Sequence, residues 1–325
     1  MLRSMYSGIS GLRNFQTKLD VIGNNISNVN THGFKKGRTI FKDVISQTIG
    51  GASAGNVTRG GVNPKQIGLG SQVAAIDTIH AGGSSQLTNN TLDLLITGDG
   101  FFQVADGKGT AAAGITEFTK PMYTRAGNFA LDDKGYLVNA DGKFLVGYSA
   151  SWNGDLTTVG ASYPLATAVT ADAITGNLDN AIANGFLPDL APVAGVTTGK
   201  YAPMRIPTNA ESMSIGQDGT VSFVDSDGKL RWAGQLVLAK FPNPGGLDKV
   251  GGNYFRDSAN SGVPLNQVAT REGMGKIESG YLEMSNVDLA EEFTEMIIAQ
   301  RGFQANTRII TTSDEILQEL VNLKR

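Results

Sequence analysis

Apolar side chains recur at steps of three or four along the first 29 residues: Leu2, Met5, Ile9, Leu12, Phe15, Leu19, Ile22, Ile26 and Val29. That spacing predicts a helix with one apolar stripe, close to the 3.5-residue seam of a coiled coil. Such a helix extends roughly 40 Å at about 1.5 Å per residue. It should stop near Asn28–Gly33, because Asn and Gly tolerate the left-handed backbone that ends helices. The other end of the chain repeats the signal. Met296, Phe303, Ile310 and Leu317 recur every seven residues, and Leu289, Phe293, Leu320 and Val321 widen the stripe. Asp288 followed by Glu291 predicts a capped start, with Asn286 a rival cap. Acidic residues crowd its first turns and Lys324 and Arg325 close its last, both favourable to the helix dipole.

Between the ends the period changes to that of strands. Leu92–Ile96, Gly98-Asp99-Gly100 and Phe101–Val104 read as strand, tight turn, strand. Phe129–Leu131, Asp132–Gly135 and Tyr136–Val138 repeat the plan, as do Ser214-Ile215, Gln217-Asp218-Gly219 and Val221–Val224. These turns predict an antiparallel β domain. Residues 150–201 are rich in Ala, Thr, Gly and Asn with weak periodicity, and read as an insertion. Residues 50–70 are Gly-rich and read as extended linker. The expected class is α+β, with terminal helices forming a coiled-coil-like pair, a discontinuous antiparallel β domain and a small inserted outer subdomain. The expected division is 1–32 and 284–325 for the terminal helices, 33–70 for the linker, 71–149 and 202–283 for the β domain, and 150–201 for a small inserted outer subdomain.

Composition narrows the function. Charged residues are 18% of the 325, against about 25% usually, and the 42 glycines are about twice the usual share. Few charges with abundant Gly suit a turn-rich β protein or a dense assembly, not a disordered chain. A net charge of −3 gives no basic face for nucleic acid. With no cysteine, disulfides, zinc–thiolate sites and Cys nucleophiles are excluded. The opening MLRSMYSGIS lacks the apolar core of a secretory signal, and no stretch reaches the ~18 apolar residues of a membrane span.

Charge also distinguishes the two ends. Arg3, Arg13, Lys18, Lys35, Lys36, Arg38 and Lys42 make the first basic, while Glu283, Asp288, Glu291, Glu292, Glu295, Asp314, Glu315 and Glu319 make the second acidic. Opposite charge beside two apolar seams predicts that the terminal helices pair. The bland alternative is that both helices pack on one globular core. Asn24, Asn25 and Asn28 read either as cap residues or as hydrogen-bonding groups between subunits.

The sequence carries no recognisable catalytic or metal-binding motif. His32 and His80 lie outside any metal-binding spacing. Asp225-Ser226-Asp227-Gly228 begins like a calcium loop, but Leu236 stands where the twelfth-position acid is needed. Gly98-Asp99-Gly100 lacks the following Lys-Ser/Thr of a phosphate cradle, and no G-x-S-x-G elbow occurs. No catalytic residue, cofactor or metal is expected.

Asn24-Asn25-Ile26-Ser27-Asn28-Val29-Asn30-Thr31-His32-Gly33-Phe34-Lys35 resembles the N-terminal signature of the bacterial flagellar rod and hook proteins. Asp93–Phe102 resembles their central motif, and Gly280–Asp288 with Gln300–Asn306 their C-terminal signature. Within that family, Gly61–Gly70 and Asp314–Arg325 resemble the hook branch, as does the insertion; the distal rod branch is the rival. The resemblance implies a self-assembling helical tube that acts as a universal joint, carrying motor torque to the filament. It implies subunits exported unfolded by the flagellar type III apparatus without a cleaved signal, to the cell exterior. Implied partners are further copies of the chain, the distal rod protein, the hook cap and the hook–filament junction proteins, with no nucleic acid and no membrane insertion. Subunit contacts are then expected along the two apolar stripes and at Asn24, Asn25 and Asn28. A soluble binding module with helices packed intramolecularly is the reading from another class.

Overall fold

The computed structural model describes residues 2–55, 59–110, 114–149, 202–226 and 228–323. The inserted subdomain expected at 150–201 lies outside the described residues. The chain divides into two units. One comprises Met1–Asn30, Lys35–His80 and Asn286–Arg325, and the other Thr31–Phe34 and Ala81–Ser285.

The helical unit is built on α1, Leu2–Ser27, and α2, Leu289–Asn322. The Asp288 side chain caps α2, accepting from the amides of Ala290 and Glu291 at 2.8 and 3.4 Å. Satisfying two otherwise orphaned amides this way is worth about 1 kcal/mol. The helices run antiparallel. Gly8 of α1 faces Ile310 of α2, Gly11 faces Asn306, and Phe15 faces Gly302. Glycine at these positions lets the axes approach closely, since side-chain size at the contact sets interhelical distance.

Residues 33–70, expected as extended linker, are largely a β arm. Gly37–Asp43 pairs antiparallel with Ser71–Thr78, and Ser46–Gly50 pairs with Lys65–Gly68. The arm therefore also takes in residues 71–80, expected in the β domain. Its flanks explain the difference. Thr39, Ile40, Phe41, Val73 and Ile76 are β-formers that pair across the Gly-rich tip, and pairing overrides the flexible composition between them. Asn14 of α1 donates to Ser71 Oγ at 2.8 Å and fixes the arm to the helix.

The β unit is largely antiparallel. Its longest strand, Leu230–Lys240, pairs with Thr220–Val224, Phe144–Ser149, Phe101–Ala105 and Leu265–Val268. Two of the expected hairpins form: Ala130–Leu131 with Leu137–Val138, and Ser212–Ile215 with Thr220–Val224. The third does not. Leu94–Thr97 pairs with Lys276–Ser279, while Phe101–Ala105 pairs elsewhere, so Gly98-Asp99-Gly100 joins two different sheets. Both strands are buried almost throughout, which a half-exposed hairpin pattern would not give. Leu94, Phe102, Val104, Phe223, Leu238 and Ile277 lie in one core. Each such side chain contributes roughly 1.5–3 kcal/mol by leaving water.

Candidate assembly surface

The seam between α1 and α2 is smaller and more polar than the heptad pattern predicts. On α2 the buried residues are Glu292, Ala299 and Ser313, with Gly302, Asn306, Ile310 and Leu317 half-buried beside them. On α1, Ile22 is buried, and Met5, Ile9, Leu12, Phe15, Leu19 and Ile26 are half-buried. Val29, just past the helix, is half-buried as well; Leu2 opens α1. The charges separated along the sequence meet here. Lys18 pairs with Glu295, and Lys36 with Glu291 at 2.7 Å. Ion pairs this exposed are worth at most about 1 kcal/mol, so they orient the helices more than they hold them.

Of the three asparagines expected between subunits, Asn25 is taken up within the chain. It is 1% exposed, donates to Gly37 O and Glu292 Oε2 at 2.9 and 3.1 Å, and accepts from Gly37 N at 3.0 Å. Bonded to the arm backbone and a helix carboxylate inside one unit, the side chain is buried away from any neighbour. The same correction applies to Ile22, 4% exposed. Asn24 is exposed, and Asn28 bonds back to it at 2.8 Å, one turn along.

The wider stripe on α2 stays uncovered. One flank carries Leu289, Phe293 and Ile297, four residues apart, with Phe293 50% exposed. The opposite flank carries Ile298, Ile309 and Ile316, also exposed. Phe303 sits at the seam edge, 37% exposed. The register also leaves α2 too long for its partner. With Gly8 opposite Ile310, the last two turns of α2 pass the start of α1, and Leu320, Val321 and Leu323 are exposed there. The sequence pattern marked Leu289, Phe293, Leu320 and Val321 but missed Ile297, Ile298, Ile309 and Ile316, because a single seven-residue repeat describes one face only.

The β arm forms a second apolar surface that the linker reading hid. Ile45, Ile49, Val62, Ile67 and Ile76 are exposed along it. A two-stranded ribbon is marginal alone.

Three family descriptions match the chain. "Flagella basal body rod protein" covers residues 5–35, "Flagellar hook protein FlgE/F/G D1 domain" 95–223, and "Flagellar basal body rod FlgEFG protein C-terminal" 278–323. The flagellar basal-body rod protein FlgG of Bacillus subtilis is 50% identical over 327 residues, all of both chains. The flagellar hook protein FlgE of Borreliella burgdorferi is 35% identical over 452 residues, again all of both chains. The same organism's FlgG is 32% identical over 328 residues, with the same full coverage.

Proposed function

Because this chain belongs to the flagellar rod and hook protein family, we propose that it is the hook subunit, a self-assembling element of a flexible helical tube. The observation that carries the assembly reading is the apolar surface left on α2. A partner helix inside the chain covers one face, and two flanks and the overhanging C-terminal turns stay open. Further copies of the chain fill them, with α1 and α2 acting as a coiled-coil-like pair in an inner layer. The interface then comprises Leu289, Phe293, Leu320 and Val321 outright, and Met296, Phe303, Ile310 and Leu317 at the seam edge. Met5, Ile9, Leu12, Phe15, Leu19 and Ile26 back that layer from α1.

Hook rather than rod is favoured by the two relatives from Borreliella burgdorferi. The Borreliella hook protein is more identical to this chain than the Borreliella rod protein. Its 452-residue alignment exceeds the 325 residues here, so the unmatched positions count against that 35%. The Bacillus relative, named as a rod protein and of equal extent, favours the distal rod as the second reading. On the hook reading, residues 150–201 form a small outer subdomain. Export then uses the flagellar type III route without a cleaved signal, and the ends of the tube meet the distal rod, the cap and the junction proteins outside the cell.

Imaging of the assembled polymer tests this. A curved tube is expected; a straight one selects the rod, and a chain that never polymerises overturns both. Phe293→Asp should leave the monomer folded, because the site is exposed, while preventing assembly. Normal polymer from that variant removes the α2 flank from the interface.

A further inference from the structure

Glu283 lies at the centre of a buried polar site in the β unit. It is 1% exposed and Arg125 4%. One carboxylate oxygen, Oε2, accepts from Arg125 Nη1 at 3.4 Å; the other, Oε1, accepts from Gly83 N at 3.1 Å. The backbone carbonyl of Glu283 accepts from Gly33 N at 2.8 Å, and Met284 N donates to Ser84 O at 2.9 Å. Arg125 donates further to Ile96 O and Gly98 O at 3.2 and 2.7 Å, and its guanidinium stands 5.3 Å from the centre of the Phe101 ring.

These partners are not scattered. The β unit comprises Thr31–Phe34 and Ala81–Ser285, so the chain passes out of it beside residues 31–34, 81 and 285. Gly33, Gly83 and Glu283 each lie within three residues of one of those places. Two of them admit no side chain. Gly33 has φ +69°, and a methyl there would lie 2.6 Å from Ala126 N; one on Gly83 would lie 2.0 Å from Met284 O. Here these backbones are joined by their own amides and by the Glu283 carboxylate reaching Gly83.

We infer that the Arg125–Glu283 pair is a clamp that gathers the three segments where the chain leaves the β unit, so that they open together and not singly. A buried ion pair adds little net stability compared with a well-packed apolar substitute, yet losing one partner strands the other charge. That asymmetry suits a fastener. All connections leaving the unit share one expensive opening step, and none can peel alone. Under the axial-subunit reading, on which this consequence rests, torque borne by the chain reaches the β unit through a closed collar instead of three independent strands.

Native-state hydrogen exchange on the full-length monomer tests the clamp, whether or not the chain polymerises. Its failure is therefore distinct from failure of the hook reading. In the wild-type protein the amides of Gly33, Gly83 and Met284 should share one opening free energy and one denaturant dependence. Separate values overturn the proposal. In Glu283→Gln the three should exchange faster together, on the order of 100-fold, while strand Leu230–Lys240 keeps its protection. Acceleration confined to Gly83, or equal acceleration throughout the unit, overturns it. Arg125→Lys keeps the charge but loses the fork to Ile96 and Gly98. It should accelerate the same three amides by a smaller factor, and with the wild-type isotherms it decides the matter should Glu283→Gln not fold.

Discussion

The ring of Phe15 closes over Gly302: a methyl built on that glycine would meet three ring carbons at 2.5, 2.7 and 2.9 Å. At Gly8 the same construction gives 3.4–3.7 Å, ordinary contact. The two glycines therefore make opposite predictions. Replacing mid-helix Gly by Ala gains about 1 kcal/mol of helix propensity. Overpacking costs about 1–3 kcal/mol, and Phe15 has Phe41 behind it, 6.3 Å between ring centres, which limits its retreat. Gly302→Ala should lower the urea midpoint of the helical transition, and Gly8→Ala should raise it. Equal shifts of the same sign would show that propensity alone governs both sites.

Asn25 joins α1, α2 and the β arm through Gly37 and Glu292. Asn25→Ala leaves the half-buried Gly37 N and O and the buried Glu292 carboxylate without these bonds, a loss of about 2 kcal/mol. Asn25→Asp should be worse at neutral pH, because a second carboxylate would stand beside Glu292, and two buried carboxylates resist joint ionisation. Urea unfolding of both variants at pH 7 checks the order; an Asp variant that outlasts the Ala variant would sink the argument.

The helices, their caps and the antiparallel β unit were legible because each follows from spacing. Leu289 to Leu317 can be counted, and Asp288 caps where a cap was expected. The assembly surface was legible in part. A heptad count finds Met296 and Ile310 but not the flanks at Ile297 and Ile309, since these depend on how much of α2 the shorter α1 covers. The arm was hidden because Gly-rich composition from 50 to 70 says nothing of whether the strands on either side will pair. The clamp was invisible for another reason. Gly33, Gly83, Arg125 and Glu283 are far apart in sequence, and only the fold brings them together.

Gly127 carries the narrowest approach among the described glycines. A methyl there would lie 1.7 Å from Leu94 O, a backbone atom in the core strand Leu94–Thr97. Leu94 N donates to Gly127 O at 2.9 Å, so neither backbone can retreat without breaking that bond. Gly127→Ala should cost more than about 3 kcal/mol, beyond the usual range for overpacking. Thermal unfolding followed at Trp232, in strand Leu230–Lys240, should lose its cooperative transition or shift steeply downward. A shift of only a few degrees would mean that Gly127 and the strand at Leu94 part more readily than their hydrogen bond implies.

Tyr254 should make the β unit sensitive to alkali. Its phenol donates to Asp141 and accepts from Asn139 Nδ2 at 2.6 Å. Desolvation first, and the Asp141 carboxylate second, hold its pKa well above the ordinary value near 10.0. The folded state then keeps a proton that the unfolded chain gives up. Above pH 10 the native form binds more protons than the unfolded form, so stability falls as pH rises. The contribution is intact below pH 10 and is lost progressively toward the higher folded value. Tyr254→Phe removes the titration together with the hydrogen bonds. The variant should be less stable at pH 8 and should decline less steeply between pH 10 and 11.5. Parallel decline of the two proteins over that interval would show that Tyr254 does not carry the alkaline transition.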